Sequence, residues 1–227
     1  MESKEIYSLY LKAYDTILPK TRCYQELVQE TVSALESKKL ILDAGVGTGL
    51  VTMQLDSPER TIYGTDINED MLQKAKEKVQ TIAAEGRILL SQQDIKSLNF
   101  TDGFFDGIIC LNVLYHSYDY ITPLREFARL LESKGTLVVS GPNTRFNSII
   151  FLEKLSTEFS QRSDYQQYRT DLELVMDSTR LLSRKSMKHF LDAERMVQVL
   201  TEIGFSQILT AHNRAYYGNS YFVAAQK

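Results

Sequence analysis

The stretch Leu40–Gly49, LILDAGVGTG, constrains the fold more than any other part of the chain. An apolar run enters the acid Asp43, and Gly45, Gly47 and Gly49 then fall at alternate positions. A short run without polar alternation suits a strand buried on both faces of a parallel sheet. Glycines after such a strand let the chain turn sharply and let a ligand approach the backbone with no Cβ in the way. Ligands of open α/β sheets bind at the carboxyl ends of the strands, which is where this turn would lie. The spacing separates ligand classes. A dinucleotide fingerprint, G-x-G-x-x-G, needs glycine where Leu50 stands, and a phosphate loop needs a lysine that does not follow Gly49. Phosphate drops out, and a nicotinamide dinucleotide is disfavoured.

The rest of the chain repeats the strand–helix rhythm. Residues 1–38 read as helical: Ile6, Leu9, Tyr10, Ala13 and Ile17 share a face until Pro19 interrupts, and Leu27, Val28, Thr31 and Leu35 form a second stripe. After LILDA comes a helix through Val51 and Leu55, then the strand TIYGTD and a helix starting at Asn68, with acids in its first turn. RILLSQQD, FDGIICLNVL and GTLVVSGP are further strands, and ITPLREFARLLESKG is an amphipathic helix expected to stop at Gly135. Near the end, MVQVLTEIGF is a helix closed by Gly204. SQILTAHNRAYY and YFVAAQK follow as strands, split at Gly218, Asn219 and Ser220 as an antiparallel hairpin. The expectation is one α/β domain over residues 1–227, a doubly wound seven-stranded sheet, mostly parallel, with that hairpin at its end. Within it, residues 1–38 are a helical lid, 39–141 the ligand-binding core, 142–189 a helical cap and 190–227 the completion of the core.

Composition excludes several function classes. A net charge of −3 gives no overall basic field for nucleic acid. Cys23 and Cys110 have neither metal-ligand nor disulfide spacing, and Cys110 lies in the apolar run GIICLNVL as a small buried hydrophobe. No metal site is expected. The N-terminal MESKEIYSLYLK lacks the apolar core of a signal peptide, and no apolar run approaches the ~18 residues of a membrane span. A cytoplasmic protein, acting as monomer or homodimer without a membrane partner, is expected.

The acid-x-Gly-x-Gly-x-Gly pattern of Asp43, Gly45, Gly47 and Gly49 resembles the first motif of the class I S-adenosylmethionine-dependent methyltransferases. Three further matches follow in order: Asp66 ending TIYGTD, Asp94 in QQDI, and FDGIICLNVLYH with LLESKGTLVVS after it. The similarity covers about residues 38–141 with the last helix and hairpin, and is greatest to the small-molecule branch related to ubiquinone-biosynthesis methyltransferases. It implies a Rossmann-like fold, S-adenosylmethionine as cofactor, and a role for each matching residue. The methionine portion would lie along Gly45–Gly49 next to Asp43. Asp66, with Ile67 beside it, would take the ribose hydroxyls, Asp94 the adenine amino group, and Ile95 would pack on the ring. The backbone around Leu111 and Asn112 would hold the amino group, and Tyr14 in AYD would contact the cofactor from the lid. NAD is not excluded by Asp66 alone, since an acid there also suits its ribose. The glycine spacing and the terminal hairpin tip the balance.

For the chemistry, His116 follows the fourth strand on the rim facing the cofactor and is the expected general base. His189 and His212 are weaker candidates, and Tyr115 and Tyr118 could line an acceptor pocket. The segment from Pro142 to His189 offers Phe146, Phe151, Phe159, Tyr165 and Tyr168 with Arg145 and Arg162, which suits a cap over a flat or apolar acceptor. Methyl transfer to oxygen or nitrogen of a small molecule is the expected reaction. Protein methylation, or S-adenosylmethionine binding without methyl transfer, are the alternatives. LNVL in place of an Asn/Asp-Pro-Pro-aromatic motif argues against a nucleic-acid acceptor.

Overall fold

A computed structural model describes residues 11, 13–82, 87–182 and 189–227. The expected stripe at Ile6, Leu9 and Tyr10 lies outside them, as does the end of the cap. Residues 13–17 are helical and run into a 3-10 turn, Leu18–Lys20, with Pro19 inside it. Helix α1 (Arg22–Ala34) follows, capped by the Thr21 side chain, which accepts from Tyr24 N–H. Then come β1 (Leu40–Ala44), α2 (Leu50–Leu55), β2 (Thr61–Asp66), α3 (Glu69–Ile82), β3 (Ile88–Gln92) and β4 (Phe105–Leu111). The second half contains α4 (Ile121–Leu130), β5 (Leu131–Pro142), α5 (Ser148–Ser160), α6 (Tyr165–Leu182), α7 (Ala193–Ile203), β6 (Gln207–Arg214) and β7 (Ser220–Gln226).

The strands form one sheet in the order β3-β2-β1-β4-β5-β7-β6. The first five are parallel, and β7 runs antiparallel to both β5 and β6. Chain order reverses between β1 and β4, so their carboxyl ends open a crevice there. Asp106 locks the two strands at their other end, where its carboxylate accepts from Lys39 and Leu40 N–H at 2.7 and 2.9 Å.

The period of two along the strands divides the core. Leu42, Ile108, Cys110, Leu137 and Val139 point to one face and pack with Phe127 of α4 and Met196 and Leu200 of α7. Ile41, Ile62, Ile109 and Val138 point to the other and pack with Leu27 and Val28 of α1 and Leu55 of α2. Each such side chain contributes about 1.5–3 kcal/mol when fully buried. The sheet is covered on both faces, as its continuous apolar runs require.

Two boundaries differ from expectation. The helix of ITPLREFARLLESKG ends at Leu130 rather than Gly135, because Leu131 is extended and pairs with Phe105 in the sheet. The left-handed turn there falls at Lys134, φ 67°. At the other end of the chain, β6 stops at Arg214, and Tyr216 and Tyr217 form a corner with left-handed φ of 47° and 56°. Gly204 does end α7 as expected, at φ 111°.

Candidate active site

A cavity of about 620 Å³ opens at the reversal point. The sequence places its walls there by ending β1, β2 and β4 on the same side of the sheet. Asp43, Gly45, Gly47, Asp66, Ile67, Asp94, Ile95, Leu111, Asn112, Tyr14 and His116 all line it. Gly49 does not. It takes the N-cap of α2 at φ 80°, and a Cβ there would lie 3.3 Å from Ala75 Cβ, so this glycine lets α2 and α3 approach.

The other two turn glycines differ from each other. Gly45 has φ 86°, and a Cβ would come 2.3 Å from Val113 Cγ2, so the side chain after β4 fills the space beneath the turn. Gly47 has φ 55° and open space where a Cβ would be. Gly45 is thus required by the protein's own packing, whereas Gly47 leaves its backbone bare towards the cavity. The carboxylate of Asp66 ties the turn down, accepting from Gly47 N–H at 2.9 Å and from Asn68 N–H at 2.9 Å. Asn68 caps α3 in turn, through bonds from Asp70 and Met71 N–H.

Asp43 is 4% exposed and accepts a hydrogen bond from the Thr52 hydroxyl. Burial pushes its carboxyl up to about 7, with the Asp66 charge adding to the rise and Thr52 opposing it. A buried acid that half-ionises near neutrality is poised for a cationic ligand. Asp94 forms a turn, accepting from Lys96 N–H at 3.0 Å. Asn112 holds φ 58° while its N–H bonds Ser140 O at 2.8 Å, which turns the chain from β4 into the 3-10 turn Leu114–His116. His116 is exposed, with its ring centroid 4.1 Å from that of Tyr115. Lys96 and Asp119, both lining the cavity, form an ion pair at 3.4 Å.

Several lining groups escape local sequence patterns. Tyr24 on α1 and Tyr216 at the β6–β7 corner both face the cavity, and a side-chain hydrogen bond joins Tyr216 to Tyr14. The segment before the 3-10 turn is clamped to the glycine turn by Asp15. Its carboxylate accepts from Thr48 Oγ1 and from Lys78 Nζ, each at 2.6 Å. The signal for Tyr216 was an adjacent tyrosine pair before a glycine, which reads as strand unless the corner is known.

The cap residues lie elsewhere. Phe159 and Tyr168 are buried in a third core with Leu152, Leu155, Leu172 and Val175, packed against Ala13 and Ile17. Phe151 packs towards Tyr216 and Tyr217, with ring centroids 6.2 and 6.1 Å apart, and Phe146 stacks on Phe190. None of the aromatics expected to form an acceptor cap lines the cavity. Tyr118 is 76% exposed and does not line it either. His212 is bound to Glu30 at 2.9 Å on the outer strand, and His189 lies beside Tyr120, so neither faces the cavity. Among the described residues, no helix is long and apolar enough to cross a membrane.

Residues 42–139 match a methyltransferase domain family. The demethylmenaquinone methyltransferase of Bacteroides fragilis is 28% identical over 182 residues, covering 74% of this chain and 68% of that protein. The chain spans about half the length of the first curated relatives it matches, 54% and 48%. In fold, it resembles the magnesium protoporphyrin IX methyltransferase of Synechocystis PCC 6803 with bound S-adenosylhomocysteine. That match has a TM-score of 0.63 at 22% identity over 90% of this chain and 84% of that one. The [4+2]-cyclase SpnF shares the fold at a TM-score of 0.68 and 15% identity, over 98% and 94%. At these identities the structural likeness speaks to the fold. The family match, however, runs from β1 into β5, across strands that open the cavity, so this part of the chain, residues 42–139, is similar in sequence as well as in fold to a methyltransferase domain.

Proposed function

We propose that the chain methylates an oxygen or nitrogen of a small-molecule acceptor, in the cytoplasm, as a monomer or homodimer. The observation that carries the reading is the convergence of Gly47, Asp66 and Asp94 on one cavity at the sheet's reversal point. The cofactor suits this residue set: it brings a cationic sulfur, ribose hydroxyls, a flat ring and no phosphate. The cavity offers a bare backbone, carboxylates and the apolar Ile67 and Ile95. When bound, S-adenosylmethionine supplies an electrophilic methyl group.

In this reading Asp66, already oriented by the N–H groups of Gly47 and Asn68, keeps lone pairs for the ribose hydroxyls. Asp94 accepts from the adenine amino group while Ile67 and Ile95 pack on the ring. Asp43 faces the cationic end, with Leu111 and Asn112 presenting backbone to the amino group. Tyr14 closes the wall from the lid side. The new bond joins the acceptor atom to the methyl carbon, the sulfur–methyl bond breaks with its electrons staying on sulfur, and the acceptor proton leaves. Holding the partners in line contributes about 7–11 kcal/mol. A base such as His116 adds roughly 10²–10⁴-fold, so positioning is the larger effect. His116 is exposed at the rim, which suits delivery of the proton to water.

A flat conjugated acceptor is supported by the relatives named for demethylmenaquinone and magnesium protoporphyrin. The test is transfer of labelled methyl from S-adenosylmethionine to a panel of quinols, phenols and aromatic amines. Labelled product supports the reading. Tight cofactor binding with no product across the panel would instead favour a non-methylating use, because one fold hosts unrelated chemistries.

A further inference from the structure

Tyr24 carries a feature that core packing does not explain. Thr21 starts α1 so that this side chain turns inward, among Leu18, Leu27 and Val28. The residue is 5% exposed and lines the cavity, and its hydroxyl oxygen is buried without a hydrogen-bond partner. The neighbouring phenols Tyr14 and Tyr216 are joined by a side-chain hydrogen bond. An unpaired buried hydroxyl costs about 1–3 kcal/mol, and phenylalanine would fill the same space without that cost. The oxygen is therefore placed for a ligand.

The surroundings select the ligand's chemistry. Burial, with the nearby negative charges of Asp43 and Asp15, keeps the phenol protonated, so it acts as a donor and needs an acceptor. Asp43 and Asp66 at the same turn suit cations and hydroxyls. The one part of the cofactor they would repel is the carboxylate of its amino-acid end. Resting on the cofactor reading above, we propose that the Tyr24 hydroxyl donates to that carboxylate and fixes the methionine portion against the Gly45–Thr48 turn. The same donor chemistry could serve an oxyanion on the methyl acceptor, and the two sources separate by ligand.

Calorimetric titration of the full chain and of Tyr24→Phe with S-adenosylhomocysteine and with 5′-methylthioadenosine, which lacks the amino-acid end, tests this. The expected result is a roughly 5–20-fold loss for S-adenosylhomocysteine and no change for 5′-methylthioadenosine. The ligand-free variant should melt at or above the wild-type temperature. Equal S-adenosylhomocysteine affinity in both proteins overturns the assignment in favour of the acceptor's oxygen. An equal loss for both ligands, or a lower ligand-free melting temperature, overturns it in favour of packing. If the wild type binds neither compound, the cofactor reading itself fails.

Discussion

Gly45 and Gly47 stand two residues apart in one motif, yet substitution should separate them. Gly45→Ala drives a Cβ into Val113, and an overpacked, left-handed position should cost at least about 2–4 kcal/mol. Thermal melting without ligand would show this. Gly47→Ala meets nothing, so it should cost about 1–2 kcal/mol of stability while weakening S-adenosylmethionine binding by an order of magnitude or more. Equal ligand-free melting of the two variants would contradict their division of labour. Asp43 gives a pH signature. Its folded-state proton is held up to about 7, against about 3.9 when unfolded, so the ligand-free fold binds the extra proton between those values. Stability should fall as pH rises from about 4 to about 7 and flatten above. A cationic ligand favours the ionised form, so S-adenosylmethionine affinity should rise over the same range, by up to about tenfold per unit. Asp43→Asn should flatten both trends. His116→Ala should lower turnover by roughly 10²-fold or more with cofactor affinity unchanged, and unaltered turnover would remove it from the mechanism.

At the scale of elements, α5 and α6 pack their buried side chains with Ala13 and Ile17 of the segment ahead of α1. Phe159 is fully buried against this core, so Phe159→Ala should cost about 3–5 kcal/mol, read as a drop in melting temperature. The sequence was most legible where function and local geometry coincide. The β1–turn–α2 unit needs its acid and glycines within a few residues, and α3 announces itself through the Asn68 cap. The packing of Phe159 and Tyr168 was not legible, because an aromatic stripe looks alike whether it faces ligand or core; Ala13 and Ile17, far away in sequence, receive them. Tyr24 was hidden for the same reason. Its stripe reads as an ordinary apolar helix face, and the unpaired hydroxyl appears only after folding. Tyr216 depends on a left-handed corner that two tyrosines would not be expected to adopt.

For the whole molecule, topology does most of the positioning. The reversal between β1 and β4 brings chain ends from residues 43, 66, 94 and 112 to one crevice, and the antiparallel β7 delivers the tyrosine corner to the same wall. The Asp15–Lys78 pair, with its partners 17% and 28% exposed, then ties the segment before α1 to the glycine turn. Ligand binding and seating of that segment should therefore be coupled, so that Asp15→Ala weakens the cofactor several-fold without touching it. In the proposed function this crevice holds S-adenosylmethionine through Asp66. Calorimetry of the wild type with S-adenosylmethionine and with NAD, repeated for Asp66→Ala, tests it directly. One site for S-adenosylmethionine, no binding of NAD, and a loss of at least about 10²-fold in the variant are expected, since charged hydrogen bonds contribute about 1.5–3 kcal/mol each. No heat with S-adenosylmethionine, or unchanged affinity in Asp66→Ala, would contradict it.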